Sequence, residues 1–261
     1  MKYKSAITKA DFIVTLICVI LAFLNLGGLS SMGRERARRM ICAVNMVRLA
    51  QANHVYANNW DERFCPPMMH NQDIWPTNLR WCNWLMNPDF RKFMGIDERQ
   101  IIIGLVLPKE YQCPTNILFK QGRDSIWGVL VSYAYNVTDW AYEINCFWNN
   151  TCESPWLIGH KRTTIPRASE KINFVDSSDW WAVWPGANYV KAWDIVGQGN
   201  WEDYEAIAIW GPTLYRHNEG ANFAFYDGHV QWMPKEKVFV DTDGNPTNYD
   251  EGDATGMWYS Y

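Results

Sequence analysis

Imidazole and carboxylate groups sit close together near the C-terminal end of the chain, at His217, Asp227 and His229. These residue types ligate zinc or exchange protons. The same residues have a structural reading, and it is the stronger one. Asp227-Gly228 between two apolar runs is a hairpin turn in its own right, and His217 then hydrogen-bonds across the base of that hairpin. A second candidate is the acidic, loop-like stretch holding Asp241, Asp243, Asn245 and Asp250. Its oxygen ligands are of the kind calcium takes, but Gly244 and Gly252 depart from the EF-hand pattern. No other cofactor is expected. The chain holds no Ser-His-Asp order, P-loop, G-x-G-x-x-G or H-E-x-x-H, so the expectation is a protein that is not an enzyme.

Seven cysteines complete the chemically active set. Cys18 lies in an apolar run. Cys42, Cys65, Cys82, Cys113, Cys146 and Cys152 form no C-x-x-C, which speaks against zinc ribbons and thioredoxin-type redox chemistry. Six such residues suggest three disulfides in an oxidising compartment, with the connectivity left open. Asn136-Val-Thr138 and Asn149-Asn-Thr151 match the glycosylation sequon, a pattern short enough to arise by chance. Trp is unusually frequent at sixteen. The group Trp180, Trp181, Trp184, Trp193 and Trp201 suits a sugar-stacking platform, a subunit interface or a core.

The elements that must carry these residues begin with a helix. Phe12 to Leu29 contains no charge, and as a helix it is about 27 Å long against a bilayer core of roughly 30 Å. A cleaved signal peptide and a buried soluble helix are the competing readings; a single membrane span fits best. Phe12, Leu16, Ile17, Val19, Ile20, Leu21, Phe23, Leu24 and Leu26 would form its membrane or filament-core surface. From Arg34 onward the helix becomes amphipathic, with apolar positions 40, 44 and 47, and 42, 46 and 49, repeating at helical spacing, and it stops near Tyr56 or Asn58. Residues 1–59 thus form leader and helix, and residues 60–261 a head.

The head reads as short strands and loops, at residues 128–135, 172–175 and 205–210, with a short helix around Leu85–Met94. A two-residue turn at Asp227-Gly228 would pair Phe225 with Val230 and Phe223 with Trp232. Apolar residues make up 48% and charged residues 20%, enough for a genuine core. The net charge of −4 excludes a basic nucleic-acid-binding footprint. Residues 1–64 carry nine basic and four acidic groups, and the remainder fifteen and twenty-four, so a basic end meets an acidic body.

Several segments resemble one family. Arg216-His217-Asn-Glu-Gly-Ala-Asn-Phe-Ala-Phe-Tyr-Asp227-Gly228-His-Val230 is similar to the His, nine residues, Asp-Gly signature of pilin-like proteins of the prepilin type abundant in planctomycetes and their relatives. Arg36-Ala37-Arg38-Arg39 with Cys42-Ala-Val-Asn-Met-Val-Arg-Leu49, Tyr56-Ala-Asn-Asn-Trp-Asp61, Cys113-Pro114 and Ser132-Tyr-Ala-Tyr-Asn136 are further points of likeness. The resemblance implies a type IV pilin-like α+β fold: a long N-terminal hydrophobic helix and a mainly antiparallel β-sheet head with long loops. It implies a structural subunit of a cell-envelope filament or pseudopilus, anchored in the inner membrane before assembly and handled by a secretion or pilus assembly machinery. His217, Asp227 and Gly228 are its motif residues, and identical copies are the expected partners. The chain departs from the family at the processing site, where Cys18 falls at the glutamate position once Thr15-Leu16-Ile17 is aligned; the leader is therefore expected to be retained. The competing reading is a monomeric, membrane-anchored module that binds polysaccharide through exposed Trp.

Overall fold

The computed structural model describes residues 8–70, 81–96, 105–116, 129–137, 159–177, 181–182, 213–238 and 257–258. Helix α1, Lys9–Asn59, opens on a capping box: the Thr8 hydroxyl accepts from Asp11 N, and the Asp11 carboxylate accepts from Thr8 N. These contacts satisfy two of the amides that a helix start leaves orphaned. Asp61 and Glu62, both in the left-handed region, turn the chain out of the helix, and Glu62 N donates to Ala57 O.

The second half of α1 has one face on the head. Cys42, Met46, Leu49, Asn53 and Tyr56 alternate steps of four and three residues and are all buried, which sets one stripe along the helix. That stripe lies on a five-stranded mixed sheet ordered β7-β5-β6-β8-β9, built from β5 Tyr133–Asn136, β6 Ile172–Asp176, β7 Trp181–Ala182, β8 Gly220–Phe225 and β9 Val230–Pro234. β5, β6, β8 and β9 pair antiparallel, and β7 joins β5 in parallel. Two small sheets flank it. β1 Met68–His70 pairs antiparallel with β2 Trp81–Asn83, and β3 Leu105–Val106 pairs parallel with β4 Val129–Leu130. α2, Pro88–Met94, is capped by the Asn87 side chain and closed by Gly95 in the left-handed region. α3, Lys235–Val238, follows β9 directly.

The sheet is covered on both faces. Tyr133, Tyr135, Phe174 and Ala224 meet α1, Trp84 and Phe90, while Ala134, Val175, Ala221, Phe223, Phe225 and Trp258 form a second core behind. A bulge between Ile172 and Phe174 sends Ile172 to the rear core and Phe174 to the front one, because an inserted residue breaks the two-residue alternation. Two helix amides meet the front tyrosines: Asn45 Nδ2 donates to Tyr133 Oη at 3.3 Å, and Asn53 Nδ2 to Tyr135 Oη at 3.2 Å.

Two expectations are corrected. Among the described residues no helix is long and apolar enough to cross a membrane, which overturns the hydrophobic membrane helix of a type IV pilin-like fold. The apolar run Phe12–Leu29 lies within helix α1. It is preceded by Lys9 and Asp11, and the helix turns strongly charged at Arg34. The side chains of Leu24 and Leu26 lie outside the described residues. The five-stranded sheet is mainly antiparallel, with only β7 running parallel to its neighbour β5. Finally, the β8–β9 hairpin is shifted by one residue. Ala224 faces Val230 and Phe223 faces Gln231, and Phe225 N donates to His229 O across a loop of Tyr226, Asp227 and Gly228. Gly228 at φ +95° supplies the left-handed position of a three-residue loop in place of a two-residue turn. The shift puts Ala224 and Val230 under α1 and leaves Phe223 and Phe225 for the rear core. The strand expected at 205–210 lies outside the described residues.

Candidate functional site

The chemically richest place is a buried cluster where α1 crosses the upper ends of β6 and β8. Each contributor arrives on a defined element. Glu35 and Cys42 are two turns apart on α1. Cys113 follows a 3-10 turn at Lys109–Tyr111 and is fixed by its own amide, which donates to Ser132 Oγ at 2.8 Å. Asp176 is the last residue of β6, and Arg216 and His217 enter β8. His217 is held by reciprocal backbone bonds with Gly220 and accepts at its carbonyl from Trp232 Nε1 at 2.9 Å. The Trp232 ring in turn lies under the Arg39 guanidinium, 5.2 Å from it. Gly220 is required here, since a Cβ would sit 2.5 Å from the Trp232 ring.

At the centre, His217 Nδ1 lies 3.0 Å from Glu35 Oε1, and Nε2 lies 3.6 Å from Cys113 Sγ and 3.7 Å from Asp176 Oδ2. Cys113 Sγ is 2.7 Å from Cys42 Sγ and 2.9 Å from Thr115 Oγ1. Asp176 Oδ2 accepts from the backbone and side-chain nitrogens of Asn222 at 2.7 and 3.1 Å, while Oδ1 has no hydrogen-bond partner among the described residues. Cys42, Cys113, Asp176 and His217 are all fully buried.

Electrostatics follow from that burial. Burial pushes the Asp176 carboxyl up to about 6, against the opposing pull of His217 and Arg216. Burial works against a charged His217, but the Cys113 sulfur, Asp176 and Glu35 outweigh it and hold the imidazole above its usual range. Cys113 is also penalised by burial, yet the bond from Cys42 and the charges of Arg216 and His217 bring it far below an ordinary thiol. Cys42, donating to it, is driven up. In the reduced pair the shared proton therefore favours Cys42 over Cys113.

Cys42, Cys113 and His217 are donors of the kind zinc takes, and a carboxylate on the far imidazole nitrogen is a usual companion of such a ligand. The sulfur spacing argues against shared coordination. Two thiolates on one tetrahedral zinc, each bonded at about 2.3 Å, stand about 3.8 Å apart, whereas these are at 2.7 Å.

The expected residues fall apart into separate roles. His217 and Asp227 lie at opposite ends of β8, so they do not form an acid/base pair; Asp227 accepts from His229 N and Nδ1 at 3.1 and 2.6 Å. Cys65 is buried with its sulfur 3.6 Å from Pro66 O, and Cys18 is exposed on α1. Cys146, Cys152, the side chain of Cys82, and the calcium candidates Asp241, Asp243, Asn245 and Asp250 lie outside the described residues. So do Trp180, Trp184, Trp193 and Trp201; of the remaining Trp residues, Trp84 and Trp258 are core. Asn136 of the first sequon is buried, donating to Ile172 O and Trp258 O. Sequence reasoning missed Glu35, Asp176 and Arg216. Glu35 is the lone acid in an arginine-rich run, and Asp176 is the one charge in its strand; both are charges whose surroundings demanded a partner.

No family model, no curated protein and no solved structure matches this chain. The likeness to pilin-like proteins rests on the segments quoted above.

Proposed function

We propose that this chain is a structural subunit that self-assembles into a cell-envelope filament through the first part of α1. One observation carries the reading. From Phe12 to Phe23, large apolar side chains are exposed around the whole helix, with Phe12 at 66% and Phe23 at 71%. A helix apolar on all sides is a helix meant to be surrounded. In this segment Phe12, Leu16, Ile17, Val19, Ile20, Leu21 and Phe23 are all among the exposed residues, as are Met40, Ile41 and Val44 on the outward side further along.

A second copy of the chain is the partner that the charge pattern favours. The basic N-terminal part of one subunit meets a head that is acidic overall, and like copies can repeat that contact indefinitely when the interface is head-to-tail. The buried cluster then has a structural task, fixing the helix to the head.

The test is electron microscopy of the purified full chain, with Leu16→Arg/Ile20→Arg as the variant. The expected result is helical filaments from the native chain and dispersed particles from the variant, with unchanged urea stability of the head because Leu16 and Ile20 are exposed on the helix surface. A native chain that stays monomeric at high concentration, with the variant indistinguishable from it, refutes the proposal.

A further inference from the structure

We infer that Cys42 and Cys113 form a disulfide that staples α1 to the head. The two sulfurs lie 2.7 Å apart, inside the contact distance of two unbonded thiols and far closer than two ligands of one metal ion. They sit on separate elements, 71 positions apart in the chain, so the bond ties the helix stripe to the segment leading into β4 and β5. Nothing else is paired in this way among the described cysteines. Cys65 has a backbone carbonyl as its sulfur's neighbour, and Cys18 is on the outer surface of α1.

The surroundings suit the chemistry. The active form of a thiol in disulfide exchange is the thiolate, and Cys113 has His217 and Thr115 against its sulfur. With glutathione disulfide as oxidant, the Cys113 thiolate attacks one glutathione sulfur. The glutathione S–S bond breaks and one glutathione thiolate leaves. The Cys42 sulfur, losing its proton, then attacks Cys113 Sγ in the mixed disulfide and expels the second glutathione. The protons of the two cysteines finish on the two glutathiones; the protein is oxidised by two electrons and glutathione disulfide is reduced by two. Both sulfurs are fully buried once α1 is docked. The first exchange therefore precedes docking, and the second closes the bond as the helix settles.

The experiment uses the full chain folded in a glutathione redox buffer, alkylated in denaturant without reductant, digested and mapped by mass spectrometry. Metal content is measured on the same preparation. The expected product is the peptide containing Cys42 joined to that containing Cys113, lighter by two hydrogens than their sum and separated by reductant, while Cys65 is alkylated. In Cys42→Ser and Cys113→Ser the joined peptide vanishes, and the two variants lose stability to the same extent. The inference is overturned if Cys42 and Cys113 are alkylated separately after oxidation, or if either is joined to a different cysteine. It is also overturned if the native protein carries a stoichiometric metal ion and both thiols react once a chelator removes it. The mapping needs no variant to fold, and its outcome does not depend on filament formation.

Discussion

Replacing Asp176 by Asn should change how stability depends on pH. Asp176 is fully buried and its carboxyl is pushed from the usual 3.8 to about 6. The fold therefore favours the neutral acid. The stabilisation is fully present below the ordinary carboxylate range and is lost as pH rises through about 6. A displacement of that size corresponds to about 3 kcal/mol, at about 1.4 kcal/mol per pKa unit. Asn keeps the contacts to Asn222, because an amide oxygen accepts from both nitrogens as Oδ2 now does. Its NH2 falls where Oδ1 has no partner among the described residues, which costs about 1–3 kcal/mol but equally at every pH. The informative quantity is the difference between the two proteins, since other carboxylates contribute the same background to both. Urea unfolding at several pH values from 4 to 7 measures it. Relative to the native chain, the variant should gain about 2.5 kcal/mol over that range, short of the full displacement because pH 4 already lies at the unfolded value. Parallel profiles, or a variant that loses ground as pH rises, would show that His217 and Arg216 stabilise an ionised Asp176 more than burial destabilises it, and the reasoning would fail.

Other perturbations test separate parts of the structure. Reducing the Cys42–Cys113 link should lower the unfolding free energy by about 4 kcal/mol on the chain-entropy account of a loop this long, read as a shift of the urea midpoint with and without phosphine reductant; a shift near zero would contradict it. Asn53→Ala removes a donor to Tyr135 Oη and the acceptor for Cys65 N, which lies at 2.7 Å, and should destabilise the head by about 2–4 kcal/mol. Gly159→Ala should be still worse, because Gly159 has φ +75° and a Cβ there would meet Phe64 O at 1.9 Å. Loss of more than about 3 kcal/mol is expected in thermal or urea melts, and near-native stability would mean the loop moves away freely.

How far the sequence revealed this fold depends on the range of the interaction concerned. The short helix near residue 90, strand 172–175 and the hairpin at Asp227-Gly228 follow from local periodicity and turn chemistry; on α1 periodicity offers two stripes, of which 42, 46 and 49 face the core while Met40 and Val44 of the other are exposed. The hairpin register did not. A two-residue and a three-residue loop are both compatible with Asp-Gly, and the choice falls to the cores on either side of β8, which differ in what they accept. The apolar N-terminal run looked like a membrane span when read by composition alone. Among the described residues the helix does not meet that requirement. The cluster was legible only in pieces. Cys42, Cys113 and His217 stood out by type, but pairing two cysteines 71 residues apart beside a histidine further on requires α1 to lie across β6 and β8, and nothing local encodes that crossing.

The two ends of α1 answer different demands, and the contrast gives the buried cluster its meaning. From Arg39 onward the helix is tied to the head by the Arg39–Trp232 stack, by a continuous apolar stripe, and by the amides of Asn45 and Asn53. Before Glu35 the exposed apolar side chains have no such seat on the head. Glu35, Cys42, Cys113 and His217 stand at the boundary between these regimes. In a filament held through the first part of the helix, any force on one subunit reaches its head at this boundary. Apolar packing is weakest against such peeling at its edge, where each residue can detach in turn. A histidine seated between two carboxylates and a pair of facing sulfurs occupy that edge, where a directional or covalent tie resists what the stripe alone resists least.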